Sequence, residues 1–124
     1  MEKLDSEQKN RPNVQPNADK VFDTITGKLA IPLEGKKQVA AFTSGARYCV
    51  MAMTKNDVYV VACEYADPES ATKGAERTSS TNKVIKRREV LRKSSTTLAI
   101  QQAGESKAAE SDAKRIHDAF VALQ

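Results

Sequence analysis

Polar residues all but vanish from two stretches of KQVAAFTSGARYCVMAMTKNDVYVVACEY, residues 37–65. Strand-like runs cover about 37–43, 46–54 and 58–65, and Thr54-Lys55-Asn56-Asp57 between the last two suits a hairpin turn. Alternation along the middle run puts Cys49, Met51 and Met53 on one face and Tyr48, Val50 and Ala52 on the other. A sheet with one wet face would carry polar side chains at every second position. This hairpin is therefore expected at the centre of a sheet, with another layer or a partner subunit over its second face.

The flanking segments are less apolar. Residues 1–17 are polar and interrupted by Pro12 and Pro16, which predicts a disordered leader ahead of one compact domain over 18–124. NADKVFDTITGK predicts a short helix. Asn17 caps it, Val21 and Ile25 share a face, and the β-branched run Thr24-Ile25-Thr26 weakens its end before Gly27. KLAIPL, 28–33, reads as an edge strand, because Pro32 has no amide hydrogen for a central ladder. Residues 66–82 carry Pro68 and Gly74 and few apolar anchors, and predict a mobile loop. Two antiparallel strands follow, through NKVIKRREVLRK and STTLAI, with a bulge near Arg87-Arg88. Ser106 then caps a helix over 107–123, whose stripe is Ala109, Ala113, Ile116, Phe120 and Leu123.

These elements give an α+β fold, a mainly antiparallel β-sheet closed by one C-terminal helix. The element order resembles the ground plan of pleckstrin-homology-like modules, a strand-rich body with the last helix plugging one end. That resemblance brings no residue correspondences. An α+β dimer of the roadblock-like kind is the alternative architecture. Self-association as a homodimer is expected, because one helix covers one face of the hairpin and little chain remains for the other.

Charge narrows the function more than composition does. The chain carries 20 basic and 16 acidic residues, and the excess lies in 67–100, where eight bases face four acids. Lys73, Arg77, Lys83, Lys86, Arg87, Arg88, Arg92 and Lys93 form this local positive field. Two or three such charges would simply solubilise an exposed strand. Eight predict a non-catalytic binding module that contacts a nucleic-acid backbone or another polyanion. Protein docking or scaffolding, with an acidic peptide or anionic lipid as ligand, is the alternative.

Other chemistry finds no motif. TSGAR, 43–47, lacks the glycine pattern and the Lys-Ser/Thr of a phosphate loop. His117 has no ligand set at metal spacing and no nucleophile beside it, so neither a metal site, nor a cofactor, nor an enzyme is expected. Cys49 and Cys63 read as buried reduced thiols of an intracellular, cytoplasmic chain without an integral membrane segment. Their relation turns on hairpin register. A three-residue loop 55–57 sets them directly opposite, where a bond is conceivable, whereas a two-residue loop puts them on opposite faces.

Overall fold

A computed structural model describes residues 2–41, 44–81 and 88–123, and the side chains of 4–41, 44–78 and 88–123. The chain runs α1 (Glu2–Lys9), α2 (Ala18–Asp23) with a wider π-helical turn at Thr24–Lys28, β1 (Glu34–Val39), β2 (Tyr48–Met53) and β3 (Val58–Glu64). Then come α3 (Pro68–Thr81), β4 (Arg88–Lys93), β5 (Thr96–Gln102) and α4 (Lys107–Ala122). The strands form one antiparallel sheet in the order β1-β2-β3-β5-β4, so the β2–β3 hairpin is interior as its composition requires.

Register gives the two faces their identities. On the first, Leu91, Leu98, Ala62, Val50 and Gln38 form one row across the five strands. Ile100, Val60 and Ala52 form the next. Val21, Phe22 and Ile25 from the α2 segment and Ile116 and Phe120 from α4 close over these rows in one buried cluster. Full burial of side chains this size stabilises by about 1.5–3 kcal/mol each before ordering entropy is counted. Both helices start where expected. Asn17 Oδ1 accepts the Lys20 amide at 2.7 Å, and Ser106 Oγ accepts that of Ala109 at 3.1 Å. The π-helical turn falls on Thr24-Ile25-Thr26, the run that weakens the helix.

Three expectations are corrected. Residues 68–81 are helical, because Asp67 caps α3 through its Oδ1, which accepts the Ser70 amide at 2.7 Å. Pro68 supplies a first helical position that needs no amide hydrogen. Residues 28–33 make no strand. Ile31 instead packs into the main core, and β1 begins at Glu34. The leader contains α1 and is tied to the sheet. Glu7 accepts the Ala41 amide, Gln38 donates to the Leu4 carbonyl at 2.7 Å, and Thr96 Oγ donates to the Pro16 carbonyl. Arg11 grips Glu64, which is fully buried and also accepts the Ala18 amide at 2.7 Å. That hydrogen-bonded carboxylate holds the Arg11 guanidinium's pKa above its already high ordinary value.

Candidate docking face

The second sheet face carries three rows. Nearest the β2–β3 turn are Arg88, Gln101, Tyr59, Met53 and Glu34. Next come Val90, Ala99, Val61, Met51 and Lys37. The third row is Arg92, Thr97, Cys63, Cys49 and Val39. Five strands at about 4.8 Å spacing make each row roughly 19 Å wide.

Helix α3 belongs to this face but covers only part of it. It settles on Tyr65 and the third row, where Ala71, Cys49, Cys63 and Tyr65 make a second buried cluster. Small residues permit the approach. A Cβ on Gly74 would lie 2.1–2.5 Å from the Tyr65 hydroxyl and ring carbons. Between α3 and the sheet is a cavity of about 170 Å³, whose lining includes Cys49, Cys63, Val61, Val90, Thr78 and Arg88.

The first two rows keep Tyr59, Met53, Met51, Val61 and Val90 half-buried, whereas their counterparts across the sheet, Val60, Ala52 and Ala62, are fully buried. A groove of about 280 Å³ opens over the β1 end, lined by Met51, Met53, Tyr59, Lys37 and Glu34. Lys37 ends the second row at β1 beside Glu34 of the first, and Arg88 ends the first row at β4, so a cation stands at each side of an apolar band.

Of the eight sequence-predicted basic residues, the five that are described are spread over α3 and both faces of β4. Lys73 is exposed on α3 and pairs with Glu69 at 3.3 Å. Arg77 reaches from α3 to the turn before β2, its Nη1 2.9 Å from where a Gly45 Cβ would stand. Gly45 has φ +82°, so both the left-handed backbone and the close guanidinium favour glycine there. Arg88 and Arg92 lie on the second face, and Arg92 Nη1 donates to the Ser94 carbonyl at 3.0 Å. Lys93 points to the first face and donates to the carbonyls of Val121 and Leu123, where the negative end of α4 attracts a cation. Lys83, Lys86 and Arg87 lie outside the described residues, and of the bulge expected near Arg87-Arg88 only Arg88 is described, paired with Gln101.

The cysteines correct their reading as thiols. The hairpin uses the three-residue loop 55–57, with Asp57 at φ +61°, and Cys49 faces Cys63 in a disulfide. His117 is half-buried, with Nδ1 3.0 Å from Glu89 Oε1. Among the described residues there is no group of three or more His, Cys, Asp or Glu able to hold a metal ion. No described helix is long and apolar enough to cross a membrane.

Sequence reasoning noticed the second apolar face of the hairpin but did not make it a site. The signal was the alternation of Met51 and Met53 opposite Tyr59 and Val61, which only register turns into a continuous surface. Compared with protein-family models, with curated proteins and with solved structures, the chain finds no match.

Proposed function

We propose that this chain is a non-catalytic docking module. Its second sheet face takes an acidic, amphipathic segment of a partner protein. The observation that carries the reading is the half-buried band Met53-Tyr59 and Met51-Val61-Val90, bounded by Lys37 and Arg88. An apolar floor rewards burial of the ligand's aliphatic side chains, while cations at its sides select acidic flanks and speed encounter. Arg88 and Arg92, which flank Val90 along β4 on this face, support the choice of an acidic partner. The pleckstrin-homology-like ground plan contributes only its element order to this reading.

Contact with a nucleic-acid backbone has less support. Among the described cations, Lys93 is engaged by the end of α4, Lys73 pairs with Glu69 on the surface, and Arg77 stands on α3 apart from Arg88 and Arg92 on β4. A homodimer through the same band is the third outcome that one experiment separates. A fluorescein-labelled peptide of alternating leucine and glutamate is titrated against the whole chain, beside random single- and double-stranded oligonucleotides. The docking reading expects saturable peptide binding, weakened about tenfold or more by Met51→Glu, which puts a charge into the floor. Peptide binding indifferent to Met51→Glu overturns it. Salt-steep oligonucleotide binding whose log–log slope flattens in Arg88→Ala/Arg92→Ala replaces it with the polyanion reading. Concentration-dependent sedimentation abolished by Met51→Glu replaces it with self-association.

A further inference from the structure

The disulfide lies on the face just described. Cys49 and Cys63 sit side by side in the third row, one row from Met51 and Val61. The Thr54 amide donates to the Val58 carbonyl at 2.9 Å, which makes that pair hydrogen-bonded. Counting back by twos makes Cys49 and Cys63 a non-hydrogen-bonded pair, with Cα atoms 4.2 Å apart. Hydrogen bonds on either side already hold β2 to β3, so the covalent link adds little to the pairing of the strands. Its effect is on what stands above them.

Both sulfur-bearing residues line the cavity under α3. Cys63 is 8% exposed and Cys49 1%, so Cys63 is the more open residue of the pair. Arg88 and Thr78 line the same cavity. We propose that the Cys49–Cys63 bond is a redox control on the docking face, opened by a small dithiol reductant. The control rests on the docking reading for its consequence, but not for its chemistry.

The step balances as ordinary thiol–disulfide exchange. One thiolate of the dithiol attacks Cys63 Sγ, the Cys49–Cys63 bond breaks, and Cys49 departs as a thiolate and takes up a proton. The second thiol of the reductant attacks its own sulfur in the mixed disulfide and releases Cys63 as a thiolate, which is protonated in turn. The reductant leaves as a cyclic disulfide, and the protein has gained two electrons and two protons.

Two thiols must stand at van der Waals separation, farther apart than a bonded pair. The neighbouring cavity receives that displacement. Helix α3 borders it through Thr78 and sits on Tyr65 through Ala71 and Gly74 with no space between. A thiol that moves into the cavity presses on Thr78 of α3 and on Val61 and Val90, which line it too and belong to the docking band.

The test uses the full chain with dithiothreitol as the dithiol, without denaturant. N-ethylmaleimide added after reduction should label both cysteines under native conditions, and amides of residues 68–81 should exchange faster while those of β5 stay protected. Labelling that requires denaturant, or unchanged exchange in α3, overturns the redox control. The leucine–glutamate peptide should bind the reduced chain about tenfold more weakly than the oxidised one. Cys49→Ala/Cys63→Ala should show no response to dithiothreitol. Equal peptide affinity in the two redox states also overturns the control. Failure of both states to bind the peptide instead removes the docking reading, and the labelling and exchange results still decide the chemistry.

Discussion

Arg11 and Glu64, 53 residues apart, meet through two parallel hydrogen bonds, Nε to Oε1 at 2.7 Å and Nη2 to Oε2 at 2.6 Å. The guanidinium also lies over the Tyr48 ring, 4.1 Å from its centroid, and reaches Asp19 at 3.3 Å. One side chain thus ties the leader, the α2 segment and the two central strands together.

Removing Arg11 leaves a fully buried carboxylate whose side chain keeps, among the described residues, the Ala18 amide. Breaking a buried pair from one side costs about 3–5 kcal/mol, and the partial solvation of Arg11 brings the expected loss for Arg11→Ala to about 2–3 kcal/mol. Arg11→Met/Glu64→Met should recover much of it, because neither partner then remains charged and buried. Urea unfolding of the two single variants and the double gives the coupling directly. Additive losses would mean that the pair does not act as a unit.

Gly74→Ala sets two effects against each other. Helix propensity favours alanine by about 1 kcal/mol, while overpacking a tight contact costs about 1–3 kcal/mol. The contact decides the sign, since the new Cβ meets ring carbons of a buried tyrosine as well as its movable hydroxyl. We expect net destabilisation, relieved in Gly74→Ala/Tyr65→Leu relative to the sum of the single changes. A higher melting temperature for Gly74→Ala would place α3 farther from Tyr65.

Phe120 is 2% exposed in the cluster beneath α4. Phe120→Ala should cost about 3–5 kcal/mol, read as a lower urea midpoint with little change in slope. An unchanged midpoint would remove α4 from the core.

Asp67 supplies the pH dependence. The Ser70 amide holds its carboxyl below the ordinary aspartate value. A depressed folded pKa makes the contribution fully present above the unfolded value, near 4, and lost as pH falls through the folded value. Asp67→Ala should therefore lower the melting temperature at pH 7 and narrow its difference from the native sequence in acid. A difference constant from pH 7 to pH 2 would show that the cap carries no charge-dependent stability.

How much of this was readable from the residues depended on where the apolar signal was strong. The β2–β3 hairpin, its central place and α4 follow from Val, Ile, Met and Phe at regular spacing. Helix α3 escaped because its buried side is made of Ala71 and Gly74, which produce no stripe in a reading of large side chains. Its start signal, Asp-Pro-Glu, was nevertheless in plain view. The leader escaped for another reason. Arg11, Glu7 and Pro16 find partners dozens of residues away, and local composition carries no mark of that. At the candidate site, counting charge gives no sign that the Lys93 ammonium serves the end of α4. The cysteine pair stayed open until the loop length selected a register.

The long reach of the leader has a consequence for how the chain is made. Arg11, Pro16 and Ala18 leave the ribosome well before Glu64 and Thr96, the residues that hold them. At synthesis rates of about 5–20 residues per second, several seconds separate these partners in time. The segment made early is therefore fastened late, after β3 and β5 have come together, and until then its polar composition keeps it in water without a template to stick to.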